Sequence, residues 1–214
     1  MMSYFHSSPS SRSSRSSSFS SDNNYTKELS ILKLINDEWY EWNQLVKVDS
    51  KIVEQLFIEN HIDINYNLGN KYTGRTPLIT AIDTENIYII ESLLSKSSIK
   101  INEQDINGNT ALHIACRNGS TNCVELLLNN LDIDCNITNS FGQTALHIAS
   151  SEGHSTIVKM LLYQPYLDVN IIDKDGKTAY NLAITKGRSA CKLLLNNYPG
   201  IKRNKSENIL LLNE

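Results

Sequence analysis

Residues 108–116 read Gly-Asn-Thr-Ala-Leu-His-Ile-Ala-Cys, and residues 142–150 repeat this stretch as Gly-Gln-Thr-Ala-Leu-His-Ile-Ala-Ser. Weaker copies occupy residues 74–82 and 176–184, so a glycine followed two residues later by a threonine recurs every 34 residues. A fixed period of this length is typical of one supersecondary unit that is copied and stacked. The sequence therefore predicts a stacked array of one repeated structural unit.

Each copy carries the signals for a tight turn followed by two helices. The glycine permits a left-handed backbone, the threonine can cap the first helix, and Pro77 suits a first helical turn. A second apolar stretch follows each motif, at residues 89–94, 123–128, 157–162 and 191–195. We therefore expect paired antiparallel helices, with left-handed glycines ending the first helix at Gly119, Gly153 and Gly187.

This pattern resembles the ankyrin repeat over roughly residues 73–200. The resemblance implies an all-α solenoid of stacked helix-turn-helix units with turn or hairpin connections. Four copies are clear, the last of them shortened, and a degenerate copy precedes them. The predicted boundaries are 41–72 for the degenerate copy and 73–106, 107–140, 141–174 and 175–200 for the others.

Two features depart from the period. Glu85 stands where the later copies have a glycine, which predicts a looser or reshaped turn over residues 84–86. The first connection is also longer, because 11 residues separate Asn65 from Thr76 whereas 8 separate Asn102 from Thr110. We therefore expect about three extra residues in that connection, near residues 68–72.

The segments outside the repeats have their own composition. Residues 1–24 form a Ser/Arg-rich tail, with twelve serines in the first 21 residues, and are predicted to be disordered. Residues 25–40 are predicted to be an N-terminal capping helix region, and residues 201–214 either cap the solenoid or bind a partner as a tail. The tail is either a solvated leader or a phosphorylated segment, with possible sites at Ser8, Ser16, Ser17 and Ser18.

The repeat register accounts for the residues that could otherwise suggest chemistry. Each of the four cysteines lies opposite small or apolar residues of sister copies, which predicts buried free thiols at Cys116, Cys123, Cys135 and Cys191. His113 and His147 share one phase of the repeat, and the resemblance implies imidazoles that bond neighbouring turns. No metal site or disulfide is expected at any of these positions.

Composition and missing motifs exclude several function classes. The net charge of −3 argues against a nucleic-acid partner, and no apolar run approaches the length of a membrane span. The chain has no nucleophile elbow, no zinc-protease motif and no phosphate-binding loop. We expect a cytoplasmic or nuclear monomer that is not an enzyme and binds no cofactor.

The resemblance implies that a partner protein docks on a concave face made of turn tips and first helices. We expect a non-enzymatic adaptor, scaffold or inhibitor; the alternative is a structural tether, or a regulatory subunit of an enzyme complex controlled by tail phosphorylation. Phe141 and Ile106 are the strongest candidates, because apolar turn tips can anchor a partner, unless Phe141 packs on the neighbouring turn. The candidate residues are Tyr72, Arg75, Ile106, Asn107, Asn109, Arg117, Ser140, Phe141, Gln143, Glu152, Lys174, Asp175 and Lys177.

Overall fold

A computed structural model describes Asn65 and residues 74–201 of the 214-residue chain. Within this part the chain forms eight helices and no strand. In chain order they are α1 (Pro77–Asp83), α2 (Ile87–Leu94), α3 (Ala111–Asn118), α4 (Thr121–Leu128), α5 (Ala145–Glu152), α6 (Ser155–Leu162), α7 (Ala179–Thr185) and α8 (Ser189–Asn196). The second helix of each pair begins about two residues before the predicted apolar stretch.

Several expectations fall outside the described residues. They concern the Ser/Arg-rich tail with its four candidate phosphorylation sites, the capping region over residues 25–40, the degenerate copy apart from Asn65, the candidate Tyr72, and residues 202–214.

Each first helix begins at the predicted threonine. The Thr76 hydroxyl accepts a hydrogen bond from the Ile79 amide at 3.3 Å, and Pro77 occupies the first helical position. Thr178 caps α7 in the same way, since its hydroxyl accepts from the Asn181 amide at 3.3 Å. These bonds satisfy amides that a helix leaves without an internal partner.

The turn between α1 and α2 keeps the geometry of the later copies, so the prediction of a reshaped turn at Glu85 is wrong. Glu85 has φ of +54°, beside +73° at Gly119. The amide of Asn86 donates to the Ala81 carbonyl at 3.0 Å, and the equivalent bond from the Ser120 amide measures 3.1 Å. The Ser120 hydroxyl also donates to the Glu85 carboxylate, which helps to offset the roughly 1–2 kcal/mol that a left-handed backbone costs a side chain.

The core forms where helix pairs stack on one another. First helices pack on first helices and second helices on second helices, so α3 contacts α1 and α5 while α4 contacts α2 and α6. One position of the first helices is a buried alanine in every copy, at most 1% exposed in Ala81, Ala115, Ala149 and Ala183. A buried leucine contributes about 1.5–3 kcal/mol, and each pair buries only a few large residues. The stability of each pair therefore depends on its neighbours.

Asparagines tie together the loops that follow the second helices. Asn102 donates to a carbonyl 30 residues ahead at 2.7 Å and accepts from an amide 32 residues ahead at 3.0 Å. Asn65 makes the same two bonds, to the Ser98 carbonyl and the Lys100 amide, but 33 and 35 residues ahead. Asn65 therefore makes the bonds of Asn102 with an offset three residues longer, as expected if about three extra residues follow it.

Candidate functional site

Three consecutive turns, over residues 105–109, 139–143 and 173–177, share one hydrogen-bonded geometry. In the first, the Asp105 carboxylate accepts from the amides of Asn107 at 2.9 Å and Asn109 at 2.8 Å. Asn139 and Asp173 hold the second and third turns in the same way. We call the outer residues of these turns the turn-tip surface: Ile106, Asn107, Ser140, Phe141, Lys174 and Asp175.

Backbone hydrogen bonds join each turn to the next. The Ser140 amide donates to the Asn107 carbonyl at 2.8 Å, and the Lys174 amide donates to the Phe141 carbonyl at 3.0 Å. Because these bonds use backbone atoms, the spacing of the turn tips does not depend on side-chain rotamers. The turn-tip surface is therefore held in one arrangement.

Two buried histidines reinforce this arrangement from inside. The Thr110 amide donates to Nδ1 of His113 at 3.2 Å, so the ring proton lies on Nε2, which donates to the Gln143 carbonyl at 2.9 Å. His147 bonds the Lys177 carbonyl at 3.1 Å. Burial lowers the pKa of both rings below 6.5, which keeps them neutral. The structure thus confirms that both imidazoles bond neighbouring turns.

The turn tips expose apolar side chains. Ile106 is 57% exposed and Phe141 is 65% exposed, so Phe141 is not buried against its neighbour. Sequence reasoning missed Ile172, which is 60% exposed just before the third turn. Its equivalents in the sister copies are the polar Gln104 and Thr138. This apolar residue at an otherwise polar position was the signal that could have revealed it.

Comparison with known families agrees with this geometry. A family model described as ankyrin repeats in three copies matches residues 44–139. Another, described as ankyrin repeats in many copies, matches residues 126–183. The chain belongs to the ankyrin-repeat family. Ankyrin repeats generally mediate protein–protein interactions, so a binding surface is the relevant kind of site in this ankyrin-repeat chain.

Asn109 was predicted to face a partner, and the structure of the ankyrin array contradicts this, because its side chain is only 4% exposed. Its side-chain nitrogen Nδ2 donates to the Asp105 carboxylate at 3.3 Å. Its side-chain oxygen Oδ1 accepts from the Asn139 side chain at 3.1 Å and from the Arg117 guanidinium at 3.2 Å. Asn109 therefore links two turns and positions the Arg117 guanidinium instead of contacting solvent.

The other predicted contact residues divide by exposure. Arg75, half-buried, forms an ion pair with Asp83 at 2.5 Å along α1. Two further candidates are half-buried, Gln143 and Lys177. The remaining polar candidates are exposed: Asn107, Arg117, Ser140, Glu152, Lys174 and Asp175.

The cysteines of this ankyrin-repeat chain are buried free thiols, as predicted. Burial raises the pKa of Cys123 and of Cys135 to about 11, which leaves the unreactive thiol form. Across Asn65 and residues 74–201, no group of three or more His, Cys, Asp or Glu side chains is placed to hold a metal ion. In the same part of the chain, no helix has the length and apolar character needed to cross a membrane.

Proposed function

We propose that this chain is a non-enzymatic interaction module, an adaptor, scaffold or inhibitor, that binds a partner protein on its turn-tip surface and first helices. The observation that carries the proposal is the exposure of Phe141 and Ile106 at the tips of adjacent turns. Clustered exposed apolar residues mark interaction sites, and aromatic anchors often dominate binding energy. Ile172 adds a third apolar side chain one turn further along.

Preorganisation supports this role. The backbone bonds between turns and the buried histidines beneath them hold the turn tips before any partner arrives, so little ordering entropy is lost on binding. Polar residues border the apolar tips and can determine which partner fits. Arg117 on α3 donates a hydrogen bond to the Asn109 side chain, so a positive group is also presented in a defined position.

The proposal extends to the kind of partner and its compartment. The net charge of −3 favours a protein partner over a nucleic acid. Four free, buried thiols fit a reducing compartment, and we propose the cytoplasm or the nucleus. The chain acts as a monomer towards its partner and needs no cofactor.

The test compares affinity purifications with quantitative mass spectrometry in native cells. The variants are Phe141→Ala/Ile106→Ala and a matched control, Leu193→Ala, which alters a side chain that is 61% exposed on α8. We expect the double variant to recover about tenfold less of its specific partner than the unaltered chain, and the control to recover the same amount. Thermal unfolding should be unchanged in both, because the altered side chains are exposed.

If the unaltered chain, the double variant and the control all recover the same partners in the same amounts, the assignment to the turn-tip surface is wrong. Turnover of a substrate by the purified chain alone would contradict the non-enzymatic part of the proposal.

A further inference from the structure

The edge of the array formed by the loops after the second helices carries a separate apolar surface. These loops are loop A (residues 95–102), loop B (129–136) and loop C (163–170). Leu131 in loop B is 101% exposed, and Tyr163 and Tyr166 in loop C are 76% and 89% exposed. Leu131 and Tyr166 line a groove of ≈ 430 Å³ between loops B and C, which we call the exit-loop groove.

The groove has a defined backbone frame. The Asn136 side chain donates to the Tyr166 carbonyl at 2.7 Å and accepts from the Asp168 amide at 2.8 Å. Loops B and C are thus joined side by side, and Leu131 from loop B and Tyr166 from loop C line the same groove.

The fold does not require these apolar residues. Loop A is tied to loop B by the same asparagine bonds, yet it has Ser97 and Ser98 at the positions of Leu131 and Tyr166. The groove between loops A and B has a similar volume, ≈ 410 Å³, and its lining combines Ile99 and Ile101 with the polar Lys100, Asn102, Glu103, Gln104 and Asp132. The same scaffold therefore accepts serines at these two positions, and of the three loops only B and C carry exposed large apolar side chains.

The two loops that form the groove carry charge of one sign, and one of their carboxylates, Asp134, lines the groove itself. Three exposed carboxylates lie on loops B and C, at Asp132, Asp134 and Asp168. Neither loop contains a lysine or arginine, whereas loop A has Lys100 at the position of Asp134 and Asp168. An apolar groove between two loops that carry only carboxylates, here called the rim carboxylates, is complementary to a segment that combines an apolar side chain with basic ones.

We propose that the exit-loop groove binds a short segment of a second partner protein, in which an aliphatic or aromatic side chain lies next to lysine or arginine. The apolar side chain packs between Leu131 and Tyr166, and the basic groups pair with the rim carboxylates. This surface is distinct from the turn-tip surface, so the chain has two docking sites and can bridge two proteins.

The test uses the full chain and a labelled synthetic peptide containing leucines flanked by arginines, with binding followed by fluorescence anisotropy. The variant Leu131→Ser/Tyr166→Ser copies the serines of loop A, so the scaffold tolerates it. We expect this variant to bind about tenfold more weakly than the unaltered chain, while Phe141→Ala binds equally well. A peptide with glutamates in place of the arginines should bind about tenfold more weakly, and added salt should reduce that difference.

No binding of the arginine peptide, or equal binding by the double-serine variant, would overturn the proposal. Weakening by Phe141→Ala would also overturn it, because the peptide would then occupy the turn-tip surface. The chain's own residues 202–214 include Lys202-Arg203-Asn204-Lys205 and Ile209-Leu210-Leu211-Leu212, which have the required chemistry. Binding seen only after those residues are deleted would make them the occupant and refute the assignment to a second protein.

Discussion

Replacing Gly108 with alanine should destabilise the array more than replacing Gly176, although both glycines have the same backbone conformation, with φ of +73° and +74°. A methyl group on Gly108 would lie 2.8 Å from the Ser140 amide nitrogen and 3.0 Å from the Asn139 Cα. At Gly176 no atom of the described residues lies within 4 Å of that position. The pair therefore separates the cost of the left-handed backbone from the cost of displacing the next turn.

The two costs can be estimated separately. A left-handed backbone costs a residue with a Cβ roughly 1–2 kcal/mol, and both variants incur it. Only Gly108→Ala also overpacks the array, which adds typically about 1–3 kcal/mol, because the obstructing atoms belong to backbone that cannot rotate away. We expect a loss of about 1–2 kcal/mol for Gly176→Ala and about 2–5 kcal/mol for Gly108→Ala.

Urea denaturation followed by circular dichroism measures the difference. Gly142→Ala is an internal replicate, because its Cβ would lie 2.9 Å from the Lys174 amide nitrogen, and it should behave like Gly108→Ala. The denaturant slopes of the variants should match, so that midpoints report stability. A difference below about 0.5 kcal/mol between Gly108→Ala and Gly176→Ala would refute the inference that stacked turns press on one another.

Three further predictions follow from buried groups and loop contacts. Burial lowers the pKa of His113 and His147 from the ordinary value of 6.5, so below that pH the unfolded chain binds more protons than the folded chain. The free energy of unfolding should therefore fall as the pH drops below 6.5. Replacing both histidines by asparagine, the residue at the equivalent position 181, should flatten that fall in urea titrations. The four buried thiols should resist alkylation in the native protein and react in urea, as mass spectrometry would show; rapid native labelling would contradict their burial. Asn102→Ala removes two bonds between loops and should cost about 1–2 kcal/mol by denaturation; an unchanged midpoint would show that these bonds contribute little.

The repeat register predicted most of the fold because it compares equivalent positions within one chain. It correctly assigned the cysteines and the two histidines to structural roles, since each recurred or was replaced in phase. It failed at Glu85, because residue type alone suggested a different turn, whereas the turn keeps its left-handed geometry with the Ser120 hydroxyl bonded to the Glu85 carboxylate.

The candidate site was less predictable. Asn109 occupies a variable position between a glycine and a threonine, and its burial depends on Asn139 from the next turn. Ile172 and Leu131 could have been found by comparing sister copies, because Ile172 stands opposite the polar Gln104 and Thr138, and Leu131 stands opposite Ser97 and Pro165. Their exposure, however, is a property of the packed array and not of the residue type.

The sequence by itself determined the helical units, their period of 34 residues and the caps that begin and end the helices, because these depend on local backbone preferences repeated in phase. Only the tertiary structure decided which variable residues face solvent and which are buried in hydrogen bonds between turns. The reason is that the contacts of Asn109, Phe141 and Tyr166 come from neighbouring units 30 or more residues away in the sequence. Stacking therefore places apolar side chains on two separate edges, at the turn tips and at the exit-loop groove.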